Sequence, residues 1–358
     1  MFDINFYRQF ANNENLIVSM MRQNPDAAFH LLESYRSPSP VIYNIETTNR
    51  CNMQCKMCPR TNLMTRKVED IDPLTFEKVV QQIEPHSKDS WNKWVEFCEN
   101  KYGIFQSDPP SENHFFLYII SRVIQLHGYG EPVLDKNISK YVEMLTKKGI
   151  PTYFSINPIN INYEQVISLM KNGLTYLKFC FDSIDDASSK EIRGSVSDFT
   201  LSYQRVKRVL ELKKQNGLKT VIVITMINLA KQNQEQEYAK LKKLFSKEDV
   251  YLYLKSEDSQ WYRKKYHGTQ AIHGSEICKH PWMTMTIKSN GEAAMCMEDY
   301  NNEIILGDAN SSSLNDIWNG KAYRSFRLSH ILGNNDKCCN RCDLPVLGNV
   351  LETSAREE

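Results

Sequence analysis

The sequence predicts an α/β fold, in which a partial (β/α)6 TIM-like barrel is followed by a small, cysteine-rich C-terminal domain. The first observation is that short apolar segments alternate with amphipathic segments from Val41 to Lys255. Such alternation is typical of parallel strands joined by crossover helices, and six strands are too few to close an eight-stranded barrel. The second observation is that half of the ten cysteines follow residue 256, where the alternation stops.

The barrel is predicted to span residues 41–256, between a helical N-terminal extension (1–40) and a C-terminal domain (257–358). The extension ends at Ser37-Pro38-Ser39-Pro40, because two prolines so close together interrupt a helix. The six predicted strands are Val41–Ile45, Val123–His127, Thr152–Ile156, Tyr176–Phe181, Thr220–Ile227 and Val250–Lys255. The predicted helices between them are Pro73–Ile83, Ile138–Lys148, Tyr163–Asn172, Thr200–Gln215 and Gln232–Phe245.

An insertion at residues 86–118 separates the first barrel helix from the second strand, where a few residues would suffice. Loops of this length are usually functional or disordered, and the aromatic residues here favour a packed segment. Two interpretations remain open: a lid over the site, or a helix packed on the surface.

Composition excludes several function classes. The 44 basic and 43 acidic residues give a net charge of +1, so the chain has no electrostatic signature of a nucleic-acid or acidic-membrane partner. No apolar run approaches the roughly 20 residues of a spanning helix, and Met1–Arg8 has no apolar signal core. We therefore expect a cytoplasmic protein, in which cysteines stay reduced and favour metal ligation over disulfides.

The first cysteine group is Cys51, Cys55 and Cys58, with the spacing CxxxCxxC. Three thiolates on one loop can ligate three irons of a [4Fe–4S] cluster and leave the fourth iron open to a small molecule. Structural zinc normally takes four ligands, often from two CxxC pairs. The group therefore predicts an iron–sulfur cluster rather than zinc.

The second group is Cys278, Cys296, Cys339 and Cys342, and it includes a predicted hairpin from Thr286 to Cys296 with an Asn-Gly turn. Four thiolates can hold a [4Fe–4S] cluster or zinc, and the ligand type alone does not decide between them. Cys338 could replace its neighbour Cys339, which is favoured because it forms Cys-x-x-Cys with Cys342. Cys98, in the insertion, is interpreted as a bystander.

The first group and the segments after it resemble the radical S-adenosylmethionine (SAM) superfamily. Besides CxxxCxxC, the matching segments are His127-Gly-Tyr-Gly-Glu131-Pro132, Ser155-Ile-Asn157, Phe179-Cys-Phe-Asp182-Ser183 and Glu191-Ile-Arg193-Gly194. They lie at or after strand ends, where a barrel places its active site. The resemblance implies that Glu131 binds the amino group of SAM. It further implies a cofactor-binding role for Met57, Gly128, Gly130, Ser155, Asn157, Asp182 and Arg193.

The C-terminal region resembles the SPASM/twitch domains of the same superfamily. A full SPASM domain holds two auxiliary clusters and needs more cysteines than the five present, whereas the shorter twitch version holds one. This context favours one auxiliary [4Fe–4S] cluster over zinc. The spacing is most similar to that of the 2-deoxy-scyllo-inosamine dehydrogenase-like enzymes.

The resemblance implies an enzyme that cleaves SAM reductively to a 5′-deoxyadenosyl radical and abstracts a substrate hydrogen atom. An auxiliary cluster favours oxidation of a small molecule such as a sugar or aminocyclitol, with electrons from a flavodoxin- or ferredoxin-type donor. The candidate catalytic residues are Cys180, Tyr262 and Arg263, with His267 a weaker candidate base.

Two other functions compete with this oxidation. The runner-up is radical modification of a ribosomal peptide. Enzymes of this kind often carry an N-terminal peptide-binding domain, and residues 1–40 are too short to form one of the usual size. A non-catalytic electron carrier or zinc protein would have no need for the segments at strand ends.

Overall fold

A computed structural model describes residues 1–229, 232–255, 277–334 and 337–340. The described strands form one nine-stranded sheet in the order β6-β5-β4-β3-β2-β1-β7-β8-β9. They are β1 (Ile42–Ile45), β2 (Ile124–Gln125), β3 (Thr152–Ile156), β4 (Tyr176–Cys180), β5 (Val221–Ile227), β6 (Tyr251–Lys255), β7 (Met285–Ile287), β8 (Glu292–Ala294) and β9 (Ile305–Asp308).

Helices connect the strands and flank the sheet. The N-terminal helices are α1 (Ile4–Gln23) and α2 (Pro25–Tyr35), and the short α3 (Pro59–Asn62) follows the first cysteine group. The barrel then contains α4 (Pro73–Gln81), α5 (Lys88–Tyr102), α6 (Glu112–Phe115), α7 (Ile138–Lys147), α8 (Tyr163–Lys171), α9 (Asp186–Arg193), α10 (Phe199–Gln215) and α11 (Gln234–Leu244). The C-terminal helices are α12 (His280–Met283), α13 (Leu314–Asn319), α14 (Lys321–Ile331) and α15 (Lys337–Asn340).

The partial barrel is confirmed, because β1 to β6 are adjacent in chain order and all parallel. Their bounds agree with the sequence prediction to within a few residues. The largest difference is β2, which covers only Ile124–Gln125 of the predicted Val123–His127. The carboxyl ends of the parallel strands therefore meet at one edge, where a barrel binds its substrate.

The C-terminal strands continue the barrel sheet. β7 runs parallel to β1, with Asn44 opposite Thr286, and β8 and β9 follow in antiparallel order. The predicted turn is present, with Gly291 at a φ of 85°. Six strands leave one side of β1 without a partner, and β7 pairs with this edge. The region after residue 277 is thus joined to the strand that precedes the first cysteine group.

The insertion packs against the inner face of the barrel near the amino-terminal ends of the strands. Phe115 lies 5.5 Å from the ring of Tyr153 and 5.1 Å from that of Tyr253, and Trp94 of α5 donates to the carbonyl of Leu117 at 2.7 Å. Between α6 and β2, residues Phe116–Ile120 form a single π-helical turn. A lid over the site would have to lie at the opposite ends of the strands, which are the carboxyl ends.

No helix in the described ranges is long and apolar enough to cross a membrane.

Candidate functional site

The first cysteine group lies on the loop that leaves the carboxyl end of β1. Cys55 is buried, whereas Cys51 and Cys58 are partly exposed. Burial raises the pKa of Cys51 to about 11 and that of Cys58 to about 12, and the neighbouring thiols add to both shifts. The free thiols are therefore protonated at neutral pH, and metal binding would have to release these protons.

Hydrogen-bond donors approach the sulfurs of the loop. The amide of Met53 lies 3.4 Å from Cys51 Sγ, and the guanidinium of Arg193 lies 3.8 Å from Cys55 Sγ. Such donors stabilise thiolates and tune the potential of a cluster.

The end of α9 fixes the conformation of the cysteine loop. The amide of Gln54 donates to the carbonyl of Arg193 at 3.2 Å, and the amide of Lys56 donates to that of Ile192 at 2.8 Å. Gly194 has a φ of 98°, and a Cβ at this position would lie 2.9 Å from Gln54 Cβ. The Ile-Arg-Gly sequence thus gives the loop two hydrogen bonds and the space that it needs.

Glu131 follows β2 and turns its carboxylate toward the cysteine loop. Oε2 accepts from the amide of Asn157 at 3.1 Å, while Oε1 is buried and has no hydrogen-bond partner. Burial raises the pKa of this carboxyl to about 7. A buried acceptor without a donor is costly, so the position fits a ligand that brings an ammonium group.

Two glycines allow this close approach. A Cβ on Gly130 would lie 2.0 Å from the carbonyl oxygen of Thr48, and one on Gly128 would lie 2.5 Å from Glu46 Oε1. Any larger residue at either position would therefore push the loop after β2 away from the cysteine loop.

Asp182 and Arg193 form a buried ion pair at the end of β4. Asp182 Oδ2 accepts from Arg193 Nε at 2.7 Å, and its other oxygen accepts from the amide of Ile227 at 3.1 Å. The pair connects the carboxyl ends of β4 and β5 to Cys55, because the same guanidinium reaches its sulfur.

The remaining predicted cofactor residues occupy the same edge of the sheet. Asn157 is buried, and its side-chain oxygen accepts from the amide of Ile159 at 3.0 Å, which fixes the turn after β3. Ser155 and Met57 are partly exposed. The structure thus places all eight predicted cofactor-binding residues on the cysteine loop, near the carboxyl ends of β2, β3 and β4, or on the segments that follow these strands.

Cys180 faces the interior of the barrel. Its sulfur lies 3.4 Å from Ser155 Oγ and 3.5 Å from Thr225 Oγ1. Burial would raise the pKa of this thiol, but the charges of Lys178 and Arg193 outweigh burial and lower it. Tyr262, Arg263 and His267 lie outside the described residues.

The sequence analysis did not identify Glu46, the first residue after β1. It is fully buried, and both oxygens accept from Arg66 at 2.8 Å. The amides of Tyr129 and Ser289 also donate to it, each at 3.1 Å. Burial would raise the pKa of Glu46, but these bonds and the charge of Lys288 lower it. The sequence signal that could have identified Glu46 is a charged residue directly after a buried strand.

The second cysteine group is only partly described. Cys296 follows β8, and the amide of Glu298 lies 3.4 Å from its sulfur. A hydrogen bond with Cys338, then burial and the nearby Cys278 and Cys296, raise the pKa of Cys339. Cys278, Cys296 and Cys339 therefore lie close to one another, with Cys338 beside them. Cys342 lies outside the described residues.

Comparison with known proteins agrees with this geometry. Residues 118–241 match the model of the radical SAM superfamily, and residues 278–343 match that of SPASM, an iron–sulfur cluster-binding domain. The curated S-adenosyl-L-methionine-dependent 2-deoxy-scyllo-inosamine dehydrogenase of Niallia circulans is 21% identical over 84% of this chain and 92% of its own.

The fold is similar to that of a solved structure at a TM-score above 0.5. SuiB of Streptococcus suis, bound to the precursor peptide SuiA, has a TM-score of 0.51 and 13% identity, over 84% of this chain and 69% of its own. BtrN in complex with AdoMet and 2-DOIA has a TM-score of 0.47 and 16% identity, over 85% and 94% of the two chains. With its partial barrel, its strand-end motifs and both family matches, this chain belongs to the radical SAM superfamily, in the branch with a C-terminal SPASM region.

Proposed function

We propose that this radical SAM enzyme oxidises a small molecule, with a sugar or aminocyclitol as the substrate class. The observation that carries the proposal is the position of the second cysteine group. β8, which leads to Cys296, is separated from β1 and its cysteine loop by only one strand, β7. A thiolate-ligated cluster there would be close enough to the barrel interior to accept an electron from the substrate. The dehydrogenase of Niallia circulans supports the same reaction class.

Cys51, Cys55 and Cys58 are assigned to the SAM-binding cluster in this proposal. The unpartnered oxygen of Glu131 would accept a hydrogen bond from the SAM amino group. Around it, Met57, Gly128, Gly130, Ser155, Asn157, Asp182 and Arg193 would bind or position the rest of the cofactor. Bound together, the cluster and SAM supply the 5′-deoxyadenosyl radical that removes a hydrogen atom.

The second group, Cys278, Cys296, Cys339 and Cys342, is assigned to one auxiliary [4Fe–4S] cluster. Oxidation of an alcohol by this route removes a hydrogen atom, a proton and an electron from the substrate. The chain must then supply a base for the proton and an acceptor for the electron. Cys180 is the candidate base that the structure describes, and Tyr262 and Arg263 remain candidates from sequence. A flavodoxin- or ferredoxin-type protein would deliver the initial electron.

The test is the formation of 5′-deoxyadenosine by the anaerobically reconstituted, reduced protein. The wild type should form it, and the C51A/C55A/C58A variant should not. Cys98 is buried in α5 among apolar side chains, so C98A is a matched control that should retain activity. SAM cleavage by the triple variant would refute the site assignment.

Radical modification of a peptide is the second candidate function. Among the solved structures, SuiB bound to its precursor peptide shares the fold. Product analysis would separate the two functions. An oxidised small molecule, lighter by two hydrogens, supports the proposal, whereas a crosslinked or epimerised peptide contradicts it.

A further inference from the structure

The barrel interior contains one buried cation that the SAM and cluster assignments leave unused. Lys178 lies on β4 and is only 9% exposed. Alternate residues of a strand face the same side, so Lys178 shares the interior face with Cys180 and Asp182. At about 3.3 Å per residue, it lies roughly 7 Å deeper in the barrel than Cys180. It is thus below the strand ends where SAM would bind.

No carboxylate in the described part of the chain balances this charge. Among the described residues, Lys178 forms no ion pair, whereas the comparably buried Lys288 donates to the carbonyls of Met297 at 3.1 Å and Asp299 at 2.7 Å. The ammonium lies 6.0 Å from the centre of the Tyr153 ring. Burying a charge without a counter-ion costs several kcal/mol in real proteins, so its retention calls for a function.

The described groups that face Lys178 are polar. Its charge acts on His127, Tyr153, Cys180 and Tyr253, and it shares a hydrogen bond with Tyr153. Burial lowers the pKa of His127 to about 3, and the charge of Lys178 lowers it further, so the imidazole is neutral at physiological pH. The ammonium therefore lies among hydroxyl, thiol and imidazole groups.

The interior is closed below and accessible above. Phe115 packs against Tyr153 and Tyr253 and blocks the amino-terminal end. Cys180, the next inward residue above Lys178 on β4, and Ser155, which pairs with Lys178 across β3 and β4, are both partly exposed, so solvent reaches this part of the interior. A ligand entering from the strand ends would meet the ammonium at the bottom of the site.

From this arrangement we infer that Lys178 binds a carboxylate of the substrate. The inference rests on the proposed function, since it specifies which small molecules the same site would take. A single positive charge matches a carboxylate, while a phosphate dianion would leave one negative charge buried. The same ammonium repels an amine, so the substrate of this chain would differ in charge from the inosamine named for its Niallia circulans relative.

Three probes of one ring size test the inference: glucuronate, glucose and glucosamine. Their binding is measured by calorimetry on the reconstituted, SAM-loaded protein. Wild type should bind glucuronate at least about tenfold more tightly than glucose, and glucosamine most weakly, as expected for a charge-assisted hydrogen bond. K178M should lose the preference for glucuronate, while K178R should retain most of it. K171M, a change on the exposed end of α8, should bind as wild type does.

A thermal melt separates this role from a structural one. Replacing a buried cation that has no carboxylate partner among the described residues with methionine should raise the melting temperature of K178M, whereas loss of a structural contact would lower it. The inference would be overturned if wild type and K178M preferred glucuronate equally. It would also be overturned if wild type showed no preference for glucuronate, or if it bound glucosamine most tightly. Failure of the proposed function would appear separately, as wild type that does not form 5′-deoxyadenosine.

Discussion

At the scale of single residues, the site depends on acidic groups whose partners are fixed by the backbone. Glu46 receives four hydrogen bonds and is held ionised, whereas Glu131 receives one and keeps an oxygen without a donor. The two carboxylates are both buried, and they differ in whether the protein itself satisfies them. This difference separates a structural carboxylate from one prepared for a ligand.

E131Q should weaken SAM binding by about 10- to 100-fold, because it removes the charge from a hydrogen bond worth about 1.5–3 kcal/mol. The raised pKa also gives a pH signature. Wild-type affinity for SAM should fall as pH drops below about 7, since the carboxyl then gains a proton, while E131Q should show no such dependence. Equilibrium binding to the reconstituted protein measures both effects.

Stability of the SAM-free protein gives an independent check. A carboxyl whose pKa is raised on folding stabilises the protein below its ordinary value of 4.5, and this contribution is lost as pH rises through about 7. E131Q should therefore be less pH-sensitive than wild type in this window. E143Q, on the exposed face of α7, should match wild type throughout. Unchanged SAM affinity in E131Q would contradict the assignment.

Sequence alone located the cysteines and the strand-end motifs, because each is a local pattern with fixed spacing. It did not locate Glu46 or Lys178, whose importance comes from their neighbours. Lys178 occupies an inward position of Tyr176–Cys180, and the alternation of that strand carried the signal. No carboxylate of the described ranges faces Lys178, and this depends on residues from other strands, which local patterns cannot reveal.

At the scale of elements, α9 determines the geometry of the cysteine loop. Its last carbonyls accept from two loop amides, and Gly194 lets the two segments touch. The sequence showed Ile-Arg-Gly only as part of a motif. The structure gives its physical basis, which is backbone hydrogen bonding at the place where the first cluster would bind.

G194A should reduce the iron content of the reconstituted protein, because the added Cβ displaces Gln54 between two of the cysteines. It should also destabilise the fold by about 1–3 kcal/mol through backbone strain. G217A is the matched control, since Gly217 also has a positive φ, of 62°, but has open space around it. G217A should lose stability and keep its iron. Equal iron content in the two variants would argue against the role of α9.

The loop after the cysteines connects the barrel to the C-terminal strands through Arg66, which pairs with Glu46 and donates to the carbonyl of Tyr300 at 2.7 Å. R66M should lower the free energy of unfolding by about 3–5 kcal/mol, because it leaves a buried carboxylate without its main partner. R208M removes an exposed pair on α10 and should cost at most about 1 kcal/mol. Urea denaturation measures the free energy of unfolding of both variants. Similar decreases would mean that the buried pair stabilises the protein no more than the exposed pair does.

At the scale of the whole molecule, one sheet carries both cysteine groups. The six parallel strands were predictable, because each is an apolar segment followed by a helix. The pairing of β7 with β1 was not, since more than two hundred residues separate partners such as Asn44 and Thr286 and no local pattern encodes them. β8 then runs antiparallel to β7, and the segment after Cys296 contacts the loop that follows the first cysteines, where Arg66 donates to the carbonyl of Tyr300.

Iron stoichiometry tests the arrangement of both cysteine groups at once. Wild type should carry about eight irons per chain, because two [4Fe–4S] clusters require them. The C51A/C55A/C58A variant should carry about four, and its remaining cluster should show no spectral change with SAM, since four thiolates leave no iron open. C278A/C296A should retain the SAM-responsive cluster, and C98A should keep both. Cys339 forms Cys-x-x-Cys with Cys342 and Cys338 does not, so C339A should lose the auxiliary iron more completely than C338A. About twelve irons in wild type would exclude a single auxiliary cluster, and zinc in the second site would remove the electron acceptor on which the proposed oxidation depends.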